Sequence, residues 1–162
     1  MPRVDVNCPL AHRPWRKMHA MINGFGEGVT RNDMAGNAAR LKKIIMINGH
    51  LPGIVELDLE GHTNICGSNA SGKTTLQRMI PVFYGEQPNK VVPKTRDNFD
   101  KFYLPYSNSY IIYSYRSAAQ RDVQVVLTKR SDGVDYRFID ADYCPQDYLD
   151  QQADKVIAVE YA

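Results

Sequence analysis

The run Gly67, Ser68, Asn69, Ala70, Ser71, Gly72, Lys73 and Thr74, continued by Thr75, holds the residues of this 162-residue chain whose types and spacing could do chemistry. It fits the pattern glycine, four residues, Gly-Lys-Ser/Thr, found in loops that cradle a nucleotide's phosphates. Gly67 and Gly72 permit backbone angles and a closeness of approach that a side chain would block, so consecutive amides can turn inward toward anionic oxygens. Ser68, Asn69, Ala70 and Ser71 are expected to contribute mainly those amides. Lys73 should reach the β- and γ-phosphates as a point charge. The Thr74 hydroxyl is the expected Mg²⁺ ligand, and Thr75 can donate to the α-phosphate. A helix opening directly after the loop would add its unpaired first-turn amides and the positive end of its dipole. Four specified positions coincide by chance in roughly one chain per hundred or fewer of this length, so the reading adopted is ATP with Mg²⁺. GTP ranks below it, because no NKxD base-reading motif follows and NFDK at Asn98 to Lys101 has the wrong order.

The elements that must position this loop are legible on either side of it. LKKIIMIN from Leu41, GIVELDLEG and HTNIC predict three strands, with Asn48-Gly49, Pro52-Gly53 and Glu60-Gly61 supplying turn chemistry between them. TTLQRMIPVFYG predicts a helix, since Leu76, Met79 and Ile80 share a face, with Pro81 and then Gly85 limiting its extent. Residues 88–108 lack periodicity and predict a long loop, placed to fold over the nucleotide or to meet a partner. SYIIYSYR predicts a further strand, and DVQVVLTKRSDGVDYRFIDADY two strands joined at Ser131-Asp132-Gly133. A short helix and a final strand are expected in YCPQDYLDQQADKVIAVEYA. The fold class expected is α/β, with a mixed sheet containing antiparallel hairpins.

Residues 1–36 differ in texture, with Pro2, Pro9 and Pro14, a basic aromatic patch RPWRK and a glycine-rich INGFGEG. They predict a loosely ordered extension, followed by the nucleotide-binding unit over 37–162. A net charge of +2 does not by itself announce a nucleic-acid surface. Cys8, Cys66 and Cys144 form no CxxC pair, and His12, His19, His50 and His62 show no ligand spacing, so neither a disulfide frame nor a zinc site is expected. No apolar run approaches a membrane span and the first residues lack a secretory apolar core, so a cytoplasmic location without membrane contact is expected.

The asparagine at the third place of GSNASGKTT, with the small-Ser-Gly-Lys sequel, resembles the GxNGSGKS/T loop of ABC-type ATPases. It is most similar to that of SMC-like heads of the MukB/JetC type. Ala70 stands where those loops usually carry glycine, and the strand order before the loop is also similar. The resemblance covers about residues 41–140. It implies a P-loop ATPase head of ABC/SMC type, present here as an incomplete domain, its amino-terminal lobe. It further implies, for a full-length protein, a coiled-coil arm, a second ATPase head and DNA as partners. Gln120 or Gln124 could supply the Q-loop glutamine, and Lys42 and Lys43 match basic residues near the nucleotide in related heads. Neither an LSGGQ-like signature nor a convincing hhhhDE segment is present, the partial candidates for the latter being VIAVE, ending at Glu160, and RFID, ending at Asp140. The competing expectation is a small self-contained P-loop kinase, with Arg96, Arg116 or Arg121 clamping the transferred phosphate; the antiparallel hairpins argue against it, since such kinases alternate parallel strands with helices.

Overall fold

The computed structural model describes residues 39–68, 71–95, 98–131, 133–152 and 155–159. The extension expected over 1–36 lies outside them, as do Asn69, Ala70, Arg96 and Glu160. A five-stranded sheet of order β2-β1-β3-β4-β5 forms the frame. Its strands are β1 (Arg40–Ile47), β2 (Ile54–Asp58), β3 (Tyr110–Arg116), β4 (Asp122–Arg130) and β5 (Gly133–Ile139). Neighbouring strands pair antiparallel throughout, so the expected mixed sheet has no parallel pair among the described residues. Short connections explain three of the four pairings, because a tight turn returns the chain alongside itself in the opposite direction.

The three central strands are apolar on both faces because both are covered. Ile44, Met46, Ile111, Tyr113, Tyr115, Val123, Val125 and Leu127 form one core with Leu76, Met79, Val82 and Phe83 of helix α1 (Lys73–Phe83). The opposite face carries Ile45, Ile47, Tyr110, Ile112 and Val126, which pack with Tyr148 and Ala158. Pro81 does not end α1. Near the C-terminus its missing amide forfeits a single backbone bond, and the helix closes instead at Gly85 (φ 96°). There Gly85 N–H donates to Val82 O at 3.2 Å and Glu86 N–H to Pro81 O at 2.9 Å, the paired bonds of a glycine-terminated helix.

Three expectations are corrected. HTNIC joins no strand: residues 62–67 have no ladder partner among the described residues, although Ile65 leans on the first core. Sequence texture shows an extended preference but cannot supply the neighbouring strand that extended backbone needs. The segment 88–108 is not one long loop, since it contains α2 (Pro88–Val91) and α3 (Phe99–Tyr103), tied together by Phe99 N–H donating to Asn89 Oδ1 at 3.0 Å. Helices this short show no period. The carboxyl-terminal stretch holds a 3₁₀ turn (Pro145–Asp147) and then two strands, β6 (Leu149–Gln152) and β7 (Lys155–Ala158), paired as a separate hairpin. None of the described helices is long and apolar enough to cross a membrane.

A bulge in β1 decides where two lysines point. Leu41 pairs with Tyr115 and Lys43 with Ser114, leaving Lys42 as the extra residue. Leu41 and Ile44 therefore both enter the first core, while Lys42 and Lys43 point away from it and from α1.

Candidate phosphate-binding site

Helix α1 begins at Lys73, directly after Gly72, whose φ of 88° and ψ of 4° lie in the left-handed region that favours glycine. Leu76 N–H donates to Gly72 O at 3.0 Å, the first intrahelical bond, so amides of the first turn have no helical partner and face the loop. The Lys73 side chain folds back over that loop. Its ammonium donates to Ser68 O at 2.6 Å and Gly67 O at 2.7 Å, with a longer contact to Ser71 Oγ at 3.3 Å. An ammonium has three donors. Two are fixed on backbone carbonyls, and the third rests on a hydroxyl that can turn away.

The conformational preference is joined by close side-chain neighbours that an added Cβ would have to displace. A Cβ on Gly67 would lie 2.6 Å from Ser71 Oγ, and one on Gly72 would lie 2.3 Å from Leu51 Cδ1. Gly67 and Ser71 thus lie close together, and the β1–β2 turn, through Leu51, lies against the loop's exit into the helix. Thr74 is exposed and Thr75 buried at the start of α1. An anchored ammonium and an accessible hydroxyl in the first turn are the groups here that could meet an anion and its counter-cation. In a magnesium-nucleotide complex Lys73 would meet phosphate oxygens and Thr74 the metal; a bound nucleotide would present the triphosphate and its magnesium to these groups.

The other sequence candidates are not gathered here. Lys42 and Lys43 are corrected to the face of the sheet opposite α1 by the bulge. Lys42 Nζ lies 3.4 Å from Asp122 Oδ1, 3.4 Å from Asp142 Oδ2 and 4.0 Å from Glu60 Oε1, while Lys43 Nζ lies 3.4 Å from Glu56 Oε2. Gln124 is buried, accepting from Tyr148 O–H at 2.7 Å and donating to Asp142 O at 3.3 Å. It holds the carboxyl-terminal segment to the sheet. Gln120 sits in the β3–β4 turn with φ 60°. Asp140 follows β5 and pairs with Arg121, while Arg116 is bidentate on Asp122 at 3.0 and 3.1 Å. Leu51, absent from the sequence reading, is brought to the loop by a hairpin turn, a contact that no local spacing signals.

Residues 45–162 match a family described as a protein of unknown function (DUF3584). The chain belongs to that family. No curated protein and no solved structure matches it. The part of this DUF3584 member that carries the match begins within β1 and includes all of Gly67 to Thr75.

The DUF3584 match also takes in most of the cluster around Lys42, which gives the protein an acid-sensitive brace. The Arg116 guanidinium, and after it Lys42, hold the Asp122 carboxyl below the usual carboxylate range. Partial burial works to raise Asp142, but the Tyr143 amide, the Ser114 hydroxyl and Lys42 outweigh it and hold that carboxyl low as well. Burial works to lower Lys42, and Asp142 and Asp122 more than reverse this. A carboxylate with a depressed folded pKa contributes stability that is fully present above its unfolded value of about 3.9 and is lost as pH falls through the folded value. The urea midpoint of the wild type should therefore drop on going from pH 5 to pH 2.5, and drop less in Asp122→Asn. Equal drops in the two proteins would remove Asp122 from the brace.

Proposed function

We propose that this chain binds Mg-ATP through Gly67 to Thr75 as the amino-terminal portion of an SMC-like, ABC-type ATPase head. In that reading the longer protein acts on DNA together with a second head. The observation that carries it is the Lys73 ammonium, drawn over the loop by Gly67 O and Ser68 O at the mouth of an 11-residue helix. One further feature supports it. The antiparallel sheet is unlike the alternating parallel strands and helices of a self-contained kinase. Phosphoryl transfer also requires metal placement and a positioned water, so binding, rather than turnover, is the activity proposed for this chain alone.

Magnesium dependence tests the assignment. Wild type should bind ATP about tenfold more tightly with Mg²⁺ than with a chelator, the size of one good charge-assisted contact. Thr74→Val should lose that increment while keeping the chelator affinity. An ATP affinity indifferent to both magnesium and Thr74 would sink the proposed metal role.

A further inference from the structure

A polar cleft of about 410 Å³ opens at the end of the sheet where β4 turns into β5. Ser107, Thr128, Lys129, Arg130, Asp135 and Arg137 line it, three cations and two hydroxyls against one carboxylate. Alternation along the strands puts four of these residues on one face. Thr128 and Arg130 continue the row of Val126 in β4, and the register sets Thr128 beside Asp135 and Val126 beside Arg137 of β5. Val126 belongs to the second core, so these four lie on the face opposite α1, and the cleft shares no residue with the phosphate loop. Two of the cations are restrained by the protein itself. Lys129 Nζ donates to Pro105 O at 2.9 Å, which uses one of an ammonium's three donors. Arg137 Nε donates to Asp135 Oδ2 at 3.0 Å, one of a guanidinium's five. A side chain already held in place surrenders less freedom when an anion arrives.

We infer that this cleft is a contact for the phosphodiester backbone of DNA. The inference names a surface for the DNA partner of the proposed function, and its choice of polyanion rests on that reading. Two features of the lining fit it. Arg137 pairs with Val126, four residues from Arg130, so the backbones carrying the two guanidiniums stand about 13 Å apart along the strands. Duplex DNA carries a charge about every 1.7 Å of its axis, so that span meets a row of phosphates rather than a single anion. The second feature is chemical. Lysine, arginine and hydroxyl side chains are the groups that meet phosphate oxygens, and no Asn or Gln among the lining residues stands ready to read a base edge. The contact therefore positions a duplex without selecting its sequence. Asp135 orients Arg137 and, by its charge, works against the phosphates.

Fluorescence anisotropy of a short labelled duplex, titrated with the full chain at low salt and without nucleotide, tests the contact. Arg130→Glu, at an exposed position, should weaken binding about tenfold and make the salt dependence shallower by about one unit of slope. Asp135→Asn should tighten binding about two- to fivefold, the scale of one exposed charge pair. A duplex of scrambled sequence should bind as tightly as the first, and Lys73→Ala should bind both as wild type does. Wild type without affinity for the duplex, or an affinity that Arg130→Glu leaves unchanged, overturns the contact. Polyglutamate that displaces the labelled duplex as well as unlabelled DNA does also overturns it, in favour of an acidic peptide. Duplex binding that depends on Arg130 in a protein with no affinity for Mg-ATP instead overturns the phosphate site and leaves the cleft standing.

Discussion

Lys73→Ala should weaken Mg-ATP binding about 10- to 100-fold, corresponding to about 1.5–3 kcal/mol for a hydrogen bond to a charged group. The size follows from how the ammonium is held. A free lysine side chain carries about 2 kcal/mol of rotamer entropy that it must surrender on binding. In this protein Gly67 O and Ser68 O already restrain it, so little of that cost remains when phosphate oxygens arrive. The same change removes the tie between the two ends of the loop, since Gly67 and Lys73 are linked through that side chain. Lys73→Arg should not restore binding, because the guanidinium is a planar fork that cannot reproduce a compact ammonium seated on two carbonyls. Calorimetric titration of the three proteins checks the series, and a fully active Arg variant would show that charge alone suffices.

Gly72→Ala should destabilise the protein by about 1–3 kcal/mol, from two sources that can be separated. A left-handed residue other than glycine costs about 1 kcal/mol, and displacing a half-buried side chain adds up to about 2 kcal/mol. The contact is with Leu51, whose Cδ1, Cδ2 and Cγ would lie 2.3, 2.9 and 3.1 Å from the new Cβ. All three atoms belong to one half-buried side chain, so the packing cost depends on how far Leu51 can turn away. Combining Gly72→Ala with Leu51→Ala should therefore recover the packing part and leave the backbone part. Urea unfolding of the single and double variants gives the coupling energy directly; strictly additive effects would mean that Leu51 does not press on Gly72.

Much of this architecture can be read in the sequence, and the parts that cannot have physical reasons. The strands at LKKIIMIN, GIVELDLEG and SYIIYSYR and the hairpin at Ser131-Asp132-Gly133 correspond to β1, β2, β3 and the β4–β5 pair, because alternation and turn chemistry are local properties. The α1 face of Leu76 and Met79 is buried for the same reason, with Ile80 half-covered beside it. HTNIC pairs with no strand among the described residues, because pairing depends on a neighbour that the local sequence does not specify. The bulge at Lys42 was equally hidden: one extra residue leaves the composition of a strand unchanged but sends two successive lysines to one face. At the site, the glycine spacing marks the loop itself. The wall made by Leu51 depends on how the β1–β2 turn packs, and only the folded chain brings it to the loop.

On the proposed reading, main-chain amides of the loop and first helical turn, with Lys73, converge on a triphosphate. Backbone amide resonances followed during addition of Mg-ATP test it most directly. The largest shifts should fall on Gly67, Ser68, Ser71, Gly72, Lys73 and Thr74, with smaller ones on the β1–β2 turn. Shifts confined to the opposite face of the sheet, around Lys42 and Asp142, or an unchanged spectrum at saturating nucleotide, would contradict it.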